Sequence, residues 1–156
     1  MPASTAPSPP SGGSVVRVVL DTVVFVRALI NPHSHSGQLF ADYADQYILL
    51  VSKPTAQEVL EVLQRPELKR KFKPIGRVDM RRVIDLVSQA QFVELGEIAS
   101  VVRDPKDDII VATAVAGQAD FIVSEDKDLL DLKQVEGIPI VNTRAFLARL
   151  ARSDEK

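Results

Sequence analysis

Short runs of aliphatic residues, many of them β-branched, alternate along this chain with longer segments of helical periodicity. Each run is long enough for one buried strand. The predicted strands lie in VVRVVL, YILLVS, QFVELG, ADFIVS and GIPIVN. Strands that are separated by helices pair in parallel through right-handed crossovers. The sequence therefore predicts an α/β fold around a mostly parallel sheet of five strands.

The segments between these runs carry apolar residues at helical spacing and recognisable end signals. The predicted helices lie in VVFVRALI, GQLFADYADQY, KPTAQEVLEVLQRP, VDMRRVIDLVSQA, the segment from DPKDD to Gly117, and TRAFLARL. Thr143 is the predicted N-cap of the last helix.

A chain of 156 residues with 46% hydrophobic content fits one domain with its own core. Residues 1–14 contain no large apolar side chain after Met1, so we predict a flexible tail there. The domain is predicted at 15–150, followed by a C-terminal tail at 151–156. No apolar run is long enough to span a membrane. The absence of cysteine excludes disulfides and thiolate chemistry and fits a cytoplasmic location.

Acidic residues follow several of the predicted strands. Asp21 ends the first strand, and Glu58 lies in the helix after the second. The other acids open the helix after the third strand or follow the fourth strand: Asp104, Asp107, Asp108, Glu125, Asp126 and Asp128. A fold of this kind binds ligands beyond the carboxyl ends of its strands, where the strand order reverses. These acids are therefore expected to meet at one place.

Helix capping offers a second interpretation for several of these acids. Asp104 and Asp107 suit the start of a helix that has a proline in its first turn. Glu58 completes a capping box with Thr55, in the sequence TAQE. Asp126 suits a turn or an N-cap. Capping does not explain why all of these positions share one edge of the sheet, and it does not account for Asp21 at the end of an apolar strand.

Carboxylates that converge without a cation repel one another and raise each other's pKa values. Hard oxygen ligands suit Mg²⁺ or Mn²⁺. A metal held there activates water and stabilises charge during attack on a phosphodiester.

The motifs VVLDT, VSKPTAQEVLEVLQRPELKRKF, DPKDDIIVATAVAGQADFIVSEDKDLL and GIPIVNTRAFL resemble, in this order, those of PIN domains. The likeness covers about Val16 to Leu150 and is closest to PIN proteins that act as toxins of bacterial toxin–antitoxin pairs. It implies a three-layer αβα fold and a metal-dependent endonuclease, usually acting on RNA. It also implies an antitoxin protein partner, and a homodimer is the family default.

Carried over residue by residue, the resemblance implies four catalytic and metal-binding acids: Asp21, Glu58, Asp107 and Asp126. Asp108 stays an alternative to Asp107, because adjacent helical residues point about 100° apart. The resemblance implies auxiliary roles for a further set: Asp104, Asp108, Ser124 and Asp128. Ser124 stands where the family usually has threonine and preserves the hydroxyl.

Val23 is the main departure from the family pattern, which generally has asparagine two residues after the first aspartate. An amide there holds a neighbouring carboxylate or a metal-bound water, and valine does neither. Loss of such support costs roughly 10–100-fold in metal affinity or activity. The alternative function is therefore a catalytically weak or inactive module that binds RNA or protein.

The formal net charge of −2 argues against a protein that coats nucleic acid, but basic residues cluster between Arg65 and Arg82. This cluster is either a solvated helix–loop–helix surface or a patch that contacts phosphate. The predicted RNA-binding residues within it are Lys69, Arg70, Lys71 and Lys73. A phosphoacceptor receiver domain is rejected, because it needs an acid pair at the first strand and an aspartate that ends the third.

Overall fold

The computed structural model describes residues 15–70, 80–95 and 105–154. The predicted flexible tail at 1–14 lies outside the described residues. Within them, no helix is both long enough and apolar enough to cross a membrane.

A single sheet of mostly parallel strands forms the centre of the described fold. Its strands, in chain order, are β1 (Val16–Leu20), β2 (Tyr47–Val51), β3 (Gln91–Phe92), β4 (Phe121–Val123), β5 (Gln134–Val135) and β6 (Ile138–Val141). Their order across the sheet is β3-β2-β1-β4-β6-β5. Every neighbouring pair is parallel except β5 and β6. The predicted mostly parallel sheet is confirmed.

The described sheet has six strands where five were predicted. The additional strand, β5, forms an antiparallel hairpin with β6. Glu136 and Gly137 connect the two strands with φ angles of 51° and 81°. A two-residue turn with positive φ at both positions matches the right-handed twist of paired strands. The Glu-Gly dipeptide between Val135 and Ile138 was the sequence signal for this hairpin.

The described helices include the six that the sequence pattern predicted and two short ones, of four residues each, that it did not predict separately. They are α1 (Thr22–Ile30), α2 (His35–Ala41), α3 (Lys53–Leu63), α4 (Pro66–Lys69), α5 (Met80–Gln89), α6 (Pro105–Ala116), α7 (Lys127–Leu130) and α8 (Thr143–Asp154). The predicted N-cap of α8 was wrong by one residue. Asn142 precedes the helix, and its Oδ1 accepts a hydrogen bond from the Ala145 N–H at 2.8 Å. The amide oxygen of Asn142 reaches this N–H, and Thr143 is already the first helical residue.

Apolar side chains pack on both faces of the sheet, because successive residues of a strand point to opposite sides. Val18 and Leu20 of β1 belong to a core cluster that includes residues of α1, α2, α3, α5 and α8. Val19, between them, belongs to a second cluster with residues of α6 and α7. The predicted three-layer αβα arrangement is confirmed.

The strand order reverses beside β1. The chain passes from β1 to β2 on one side of it, whereas β4 pairs with β1 on the other. The carboxyl ends of β1 and β4 therefore flank the switch point, where α/β sheets bind ligands.

Candidate active site

Asp21 lies at this switch point, directly after β1. Its backbone N–H donates to the carbonyl oxygen of Val123 at 2.9 Å, which ties it to the end of β4. Its side chain is buried, with 9% of the residue surface exposed. The Asp21 Oδ2 accepts a hydrogen bond from the Ser124 hydroxyl at 2.7 Å. The carboxylate is therefore held in place by two neighbouring strands.

The pKa of the Asp21 carboxyl is raised above its ordinary value. Burial is the main cause, since it removes water from the charged form. The hydrogen bond from Ser124 and the backbone N–H of Thr22 lower the pKa, while the negative charge of Asp126 raises it. The effect of burial outweighs that of the hydrogen bonds, so the described residues do not fully compensate the negative charge of Asp21.

Ser124 joins Asp21 to the turn after β4. It is completely buried, and besides donating to Asp21 its hydroxyl oxygen accepts a hydrogen bond from the Asp126 N–H at 2.9 Å. Asp126 in turn caps α7, because its Oδ1 accepts from the Asp128 N–H at 2.9 Å. The structure thus brings together Asp21, Ser124 and Asp126 at one edge of the sheet. The capping interpretation of Asp126 is correct, and the cap uses Oδ1 alone, so Oδ2 could still serve as a ligand.

Glu58 approaches the same edge from α3. Its Oε2 accepts a hydrogen bond from the Thr22 hydroxyl at 3.2 Å, and Thr22 directly follows Asp21. The predicted capping box with Thr55 as N-cap was wrong. Ser52 is the N-cap, and it exchanges hydrogen bonds with Thr55, the third residue of the helix. The helix starts one turn earlier than the TAQE pattern indicated, so Glu58 has no capping role and its carboxylate faces Thr22.

Helix α6 runs from the carboxyl edge of the sheet to the opposite edge. The hydroxyls of Thr113 and Ser52 lie 2.8 Å apart near the carboxyl end of β2. Beyond the other end of α6, the Gly117 carbonyl accepts from the Arg17 guanidinium at 2.7 Å, near the start of β1. Residue 107 precedes Thr113 by six residues, about 9 Å along a helix. The first turn of α6 therefore projects past the carboxyl edge.

Several predicted positions are not described. Asp104, Lys71 and Lys73 lie outside the described residues, and so do the side chains of Asp107, Asp108 and Lys69. Arg70 is exposed directly after α4. Among the side chains that are described, no three acids or histidines are grouped closely enough to hold a metal ion.

The described donors nevertheless suit a hard divalent cation. Asp21 and Asp126 supply carboxylate oxygens, and Glu58 is linked to the same end of β1. A buried carboxylate without a full counter-charge is costly, and a bound Mg²⁺ or Mn²⁺ would relieve that cost.

Thr22 received no role from the sequence, and Glu125 was expected to join the other acids but does not. Thr22 links Glu58 to the segment that carries Asp21, and its place directly after Asp21 was the available signal. Glu125 lies between Ser124 and Asp126 but reaches α8, where its Oε2 accepts from the Thr143 N–H at 2.9 Å. Alternating side-chain directions in an extended segment separate residue 125 from its two neighbours.

Known proteins resemble this chain over most of its length. A family model described as a PIN domain matches residues 17–128. An uncharacterised protein, MJ1680, from Methanocaldococcus jannaschii is 26% identical over 119 residues, which cover 76% of each of the two chains.

Solved structures share the fold at low sequence identity. The crystal structure of PAE2754 from Pyrobaculum aerophilum has a TM-score of 0.54 at 17% identity and covers 91% of this chain and 94% of that chain. The structure of VapBC2 from Rickettsia felis, bound to a DNA fragment from its promoter, has a TM-score of 0.54 at 14% identity. It covers 81% of this chain and 98% of that chain. The structure of DNA-bound VapBC from Salmonella typhimurium has a TM-score of 0.52 at 15% identity and covers 82% of this chain and 98% of that chain.

Proposed function

The chain belongs to the PIN-domain family, and from this premise we propose that it is a divalent-metal-dependent endoribonuclease that hydrolyses RNA phosphodiester bonds. The observation that carries the proposal is the buried Asp21 carboxylate at the strand-order reversal. Its pKa is raised by burial, and the charge of Asp126 raises it further. Such an arrangement is unfavourable without a cation and suited to binding one.

The proposed metal ligands are Asp21, Glu58, Asp107 and Asp126, with Asp108 as the alternative to Asp107. Bound Mg²⁺ or Mn²⁺ supplies the activation of water and the neutralisation of charge on the phosphodiester. Ser124 orients Asp21, and Thr22 orients Glu58. Residues Asp104 and Asp128 act as auxiliary acids.

Basic residues after α3 are proposed to position the RNA backbone. The set consists of Lys69, Arg70, Lys71 and Lys73. Arg70 is exposed, which suits contact with a large ligand. Contacts to phosphate orient a strand without reading its sequence.

RNA cleavage with and without Mg²⁺, in the wild type and in Asp21→Asn, tests the proposal. We expect cleavage to require the metal and to fall by on the order of 100-fold or more in the variant, because a ligand loss exceeds the effect of losing indirect support. Asp85→Asn, an equivalent change at an exposed position on α5, is the matched control and should cleave like the wild type. Cleavage in the presence of a chelator, or an Asp21→Asn variant as active as the wild type, would contradict the mechanism.

A catalytically weak or inactive binding module is the second candidate. Val23 favours it, because this residue stands in the first turn of α1 beside Asp21 and offers no amide to the site. This candidate predicts that wild-type protein binds RNA or a protein partner without turnover, and that binding survives Asp21→Asn.

We also propose a protein partner of the antitoxin class, as the family resemblance implies. Two structural neighbours, which are named VapBC, support this proposal. Self-association as a homodimer is the family default, and sedimentation equilibrium of the purified chain tests it.

A further inference from the structure

A pocket opens at the same edge of the sheet, beside the turn that carries Ser124 and Asp126. Its volume is about 250 Å³, and α1, the start of α2, the turn after β4 and the start of α8 enclose it. The lining residues that matter for its chemistry are Arg27, His35, Glu125, Thr143 and Arg144. None of them belongs to the proposed metal site.

The charge of this pocket favours an anion. Arg27 and Arg144 both line it, and neither guanidinium has an ion pair or a hydrogen bond within the described part of the chain. Glu125 is the acid among the described lining residues, and its Oε2 already accepts from the Thr143 N–H. Two arginines against one engaged carboxylate leave net positive charge. The planar guanidinium fork matches the oxygens of a phosphate group.

A buried hydroxyl without a partner is the independent sign of a ligand. Thr143 lines the pocket and is 1% exposed, yet its Oγ1 has no hydrogen-bond partner among the residues that the structure describes. Buried polar atoms are nearly always paired, so an exception needs an explanation. Thr143 is also the first residue of α8, where the partial positive charge of a helix terminus favours an anion. A phosphate oxygen supplies the acceptor that the hydroxyl lacks.

We infer that this pocket binds a phosphate group of the RNA strand adjacent to the scissile bond, an inference that rests on the proposed function. Glu125 connects the two sites, because its neighbours Ser124 and Asp126 face Asp21. Glu125 and Asp126 are consecutive, so their Cα atoms lie about 3.8 Å apart, and only the turn after β4 separates the pocket from the acids. A strand bound at the metal site reaches the pocket by crossing that turn.

Binding is measured in an Asp21→Asn background, so that the RNA stays intact. A short fluorescein-labelled single-stranded RNA is titrated at about 50 and 200 mM salt. Arg27→Gln and Arg144→Gln should each weaken binding about tenfold, the effect of losing one charge-assisted contact. Each should also reduce the slope of log affinity against log salt by about 0.7, the value for one phosphate contact on a single strand.

Arg152→Gln is the matched control, because it makes the same charge change on the same helix. It lies eight residues beyond Arg144, about 12 Å along the axis, and does not line the pocket. Affinity and salt slope should stay at the values of the Asp21→Asn background. Pocket variants indistinguishable from Arg152→Gln, or weaker binding with an unchanged salt slope, would overturn the inference.

Thr143→Val separates a ligand contact from a structural role. Valine has nearly the same shape, so its removal of an unpaired hydroxyl should leave the melting temperature unchanged or raise it. RNA affinity should nevertheless fall. A variant with a lower melting temperature and unchanged RNA affinity would show that the hydroxyl serves the fold, against the inference.

RNAs with a 5′-phosphate or a 5′-hydroxyl identify which phosphate is bound. An Arg144→Gln effect on both RNAs identifies an internal phosphodiester, and an effect on the phosphorylated RNA alone identifies a terminal phosphate. An effect on neither contradicts the inference. Binding is measured without turnover, so the two proposals can fail separately. If the wild type does not cleave RNA, the nuclease proposal is refuted. If the wild type cleaves RNA but the arginine variants bind it normally, only the inference about the pocket is refuted.

Discussion

Replacing Ser124 with alanine removes a completely buried hydroxyl that makes two hydrogen bonds. One is donated to the Asp21 carboxylate at 2.7 Å, and the other is accepted from the Asp126 N–H at 2.9 Å. A bond to a charged group contributes roughly 1.5–3 kcal/mol and a neutral one roughly 0.5–1.5 kcal/mol. We therefore expect a loss of about 2–4 kcal/mol in the free energy of unfolding, which corresponds to roughly 5–15 °C in melting temperature.

The pH dependence of this loss identifies its origin. The Ser124 hydroxyl lowers the pKa of Asp21, so it stabilises the ionised form more than the protonated form. The destabilisation should therefore be largest at neutral pH and shrink as the pH falls and Asp21 becomes protonated. Urea unfolding of the wild type and of Ser124→Ala in chelator, between about pH 7 and pH 4, measures this destabilisation.

Ser52→Ala is the control for this experiment. Ser52 is also completely buried, but its hydroxyl bonds to the neutral side chains of Thr55 and Thr113. The stability that Ser52→Ala loses relative to the wild type should therefore not change with pH over the same interval. If Ser124→Ala costs less than about 0.5 kcal/mol, or if its cost is the same at both pH values, the hydroxyl does not support a buried carboxylate and the reasoning fails.

Three further predictions concern the same edge of the sheet, and a fourth concerns the packing of α2. Burial raises the pKa of Asp21 in the folded state above its ordinary value of 3.8. The protonated Asp21 therefore adds no penalty to the folded protein below pH 3.8, whereas the folded protein loses stability as the pH rises through the raised pKa and Asp21 ionises. Asp21→Asn should thus be at least as stable as the wild type near pH 7 in chelator, and should lose this advantage near pH 4 in urea titrations. Mg²⁺ at about 100 times its dissociation constant should stabilise the wild type by about 2.7 kcal/mol in thermal melts and leave Asp21→Asn unaffected; equal shifts would place the metal elsewhere. Val23→Asn should raise RNA cleavage about 10–100-fold, since Val23 is 38% exposed and its replacement leaves the core intact; unchanged turnover would show that the position is unimportant. Gly37→Ala should cost about 2 kcal/mol or more by thermal melting, because the new Cβ would clash with the Pro32 carbonyl oxygen; a melting temperature equal to that of the wild type would contradict this contact.

The order of strands and helices was readable from the sequence. Apolar runs of strand length and helices with the right period leave few ways to bury both surfaces, and parallel pairing follows from the helices between strands. The position of Asp21 at the end of β1 was readable for the same reason. The hairpin of β5 and β6 was missed, because two residues give too short a pattern to identify as a strand.

Local patterns also assigned roles that the tertiary structure changed. Glu58 fits a capping box in sequence, but α3 begins one turn earlier at Ser52, and the carboxylate of Glu58 is left to contact Thr22. Thr143 looked like an N-cap, whereas Asn142 takes that position. In both cases the sequence offered two candidate N-caps, and the residue at which the helix begins decided between them.

By itself, the sequence determined the αβα architecture and the edge at which Asp21 and Asp126 lie, since hydrophobic periodicity dictates which surfaces are buried. Only the tertiary structure decided how much water Asp21 loses and that Ser124 bonds to it across 103 positions of sequence. The same holds for the pocket that brings Arg27 beside Arg144. Burial and contact are properties of distant segments packed together, and no local pattern encodes them.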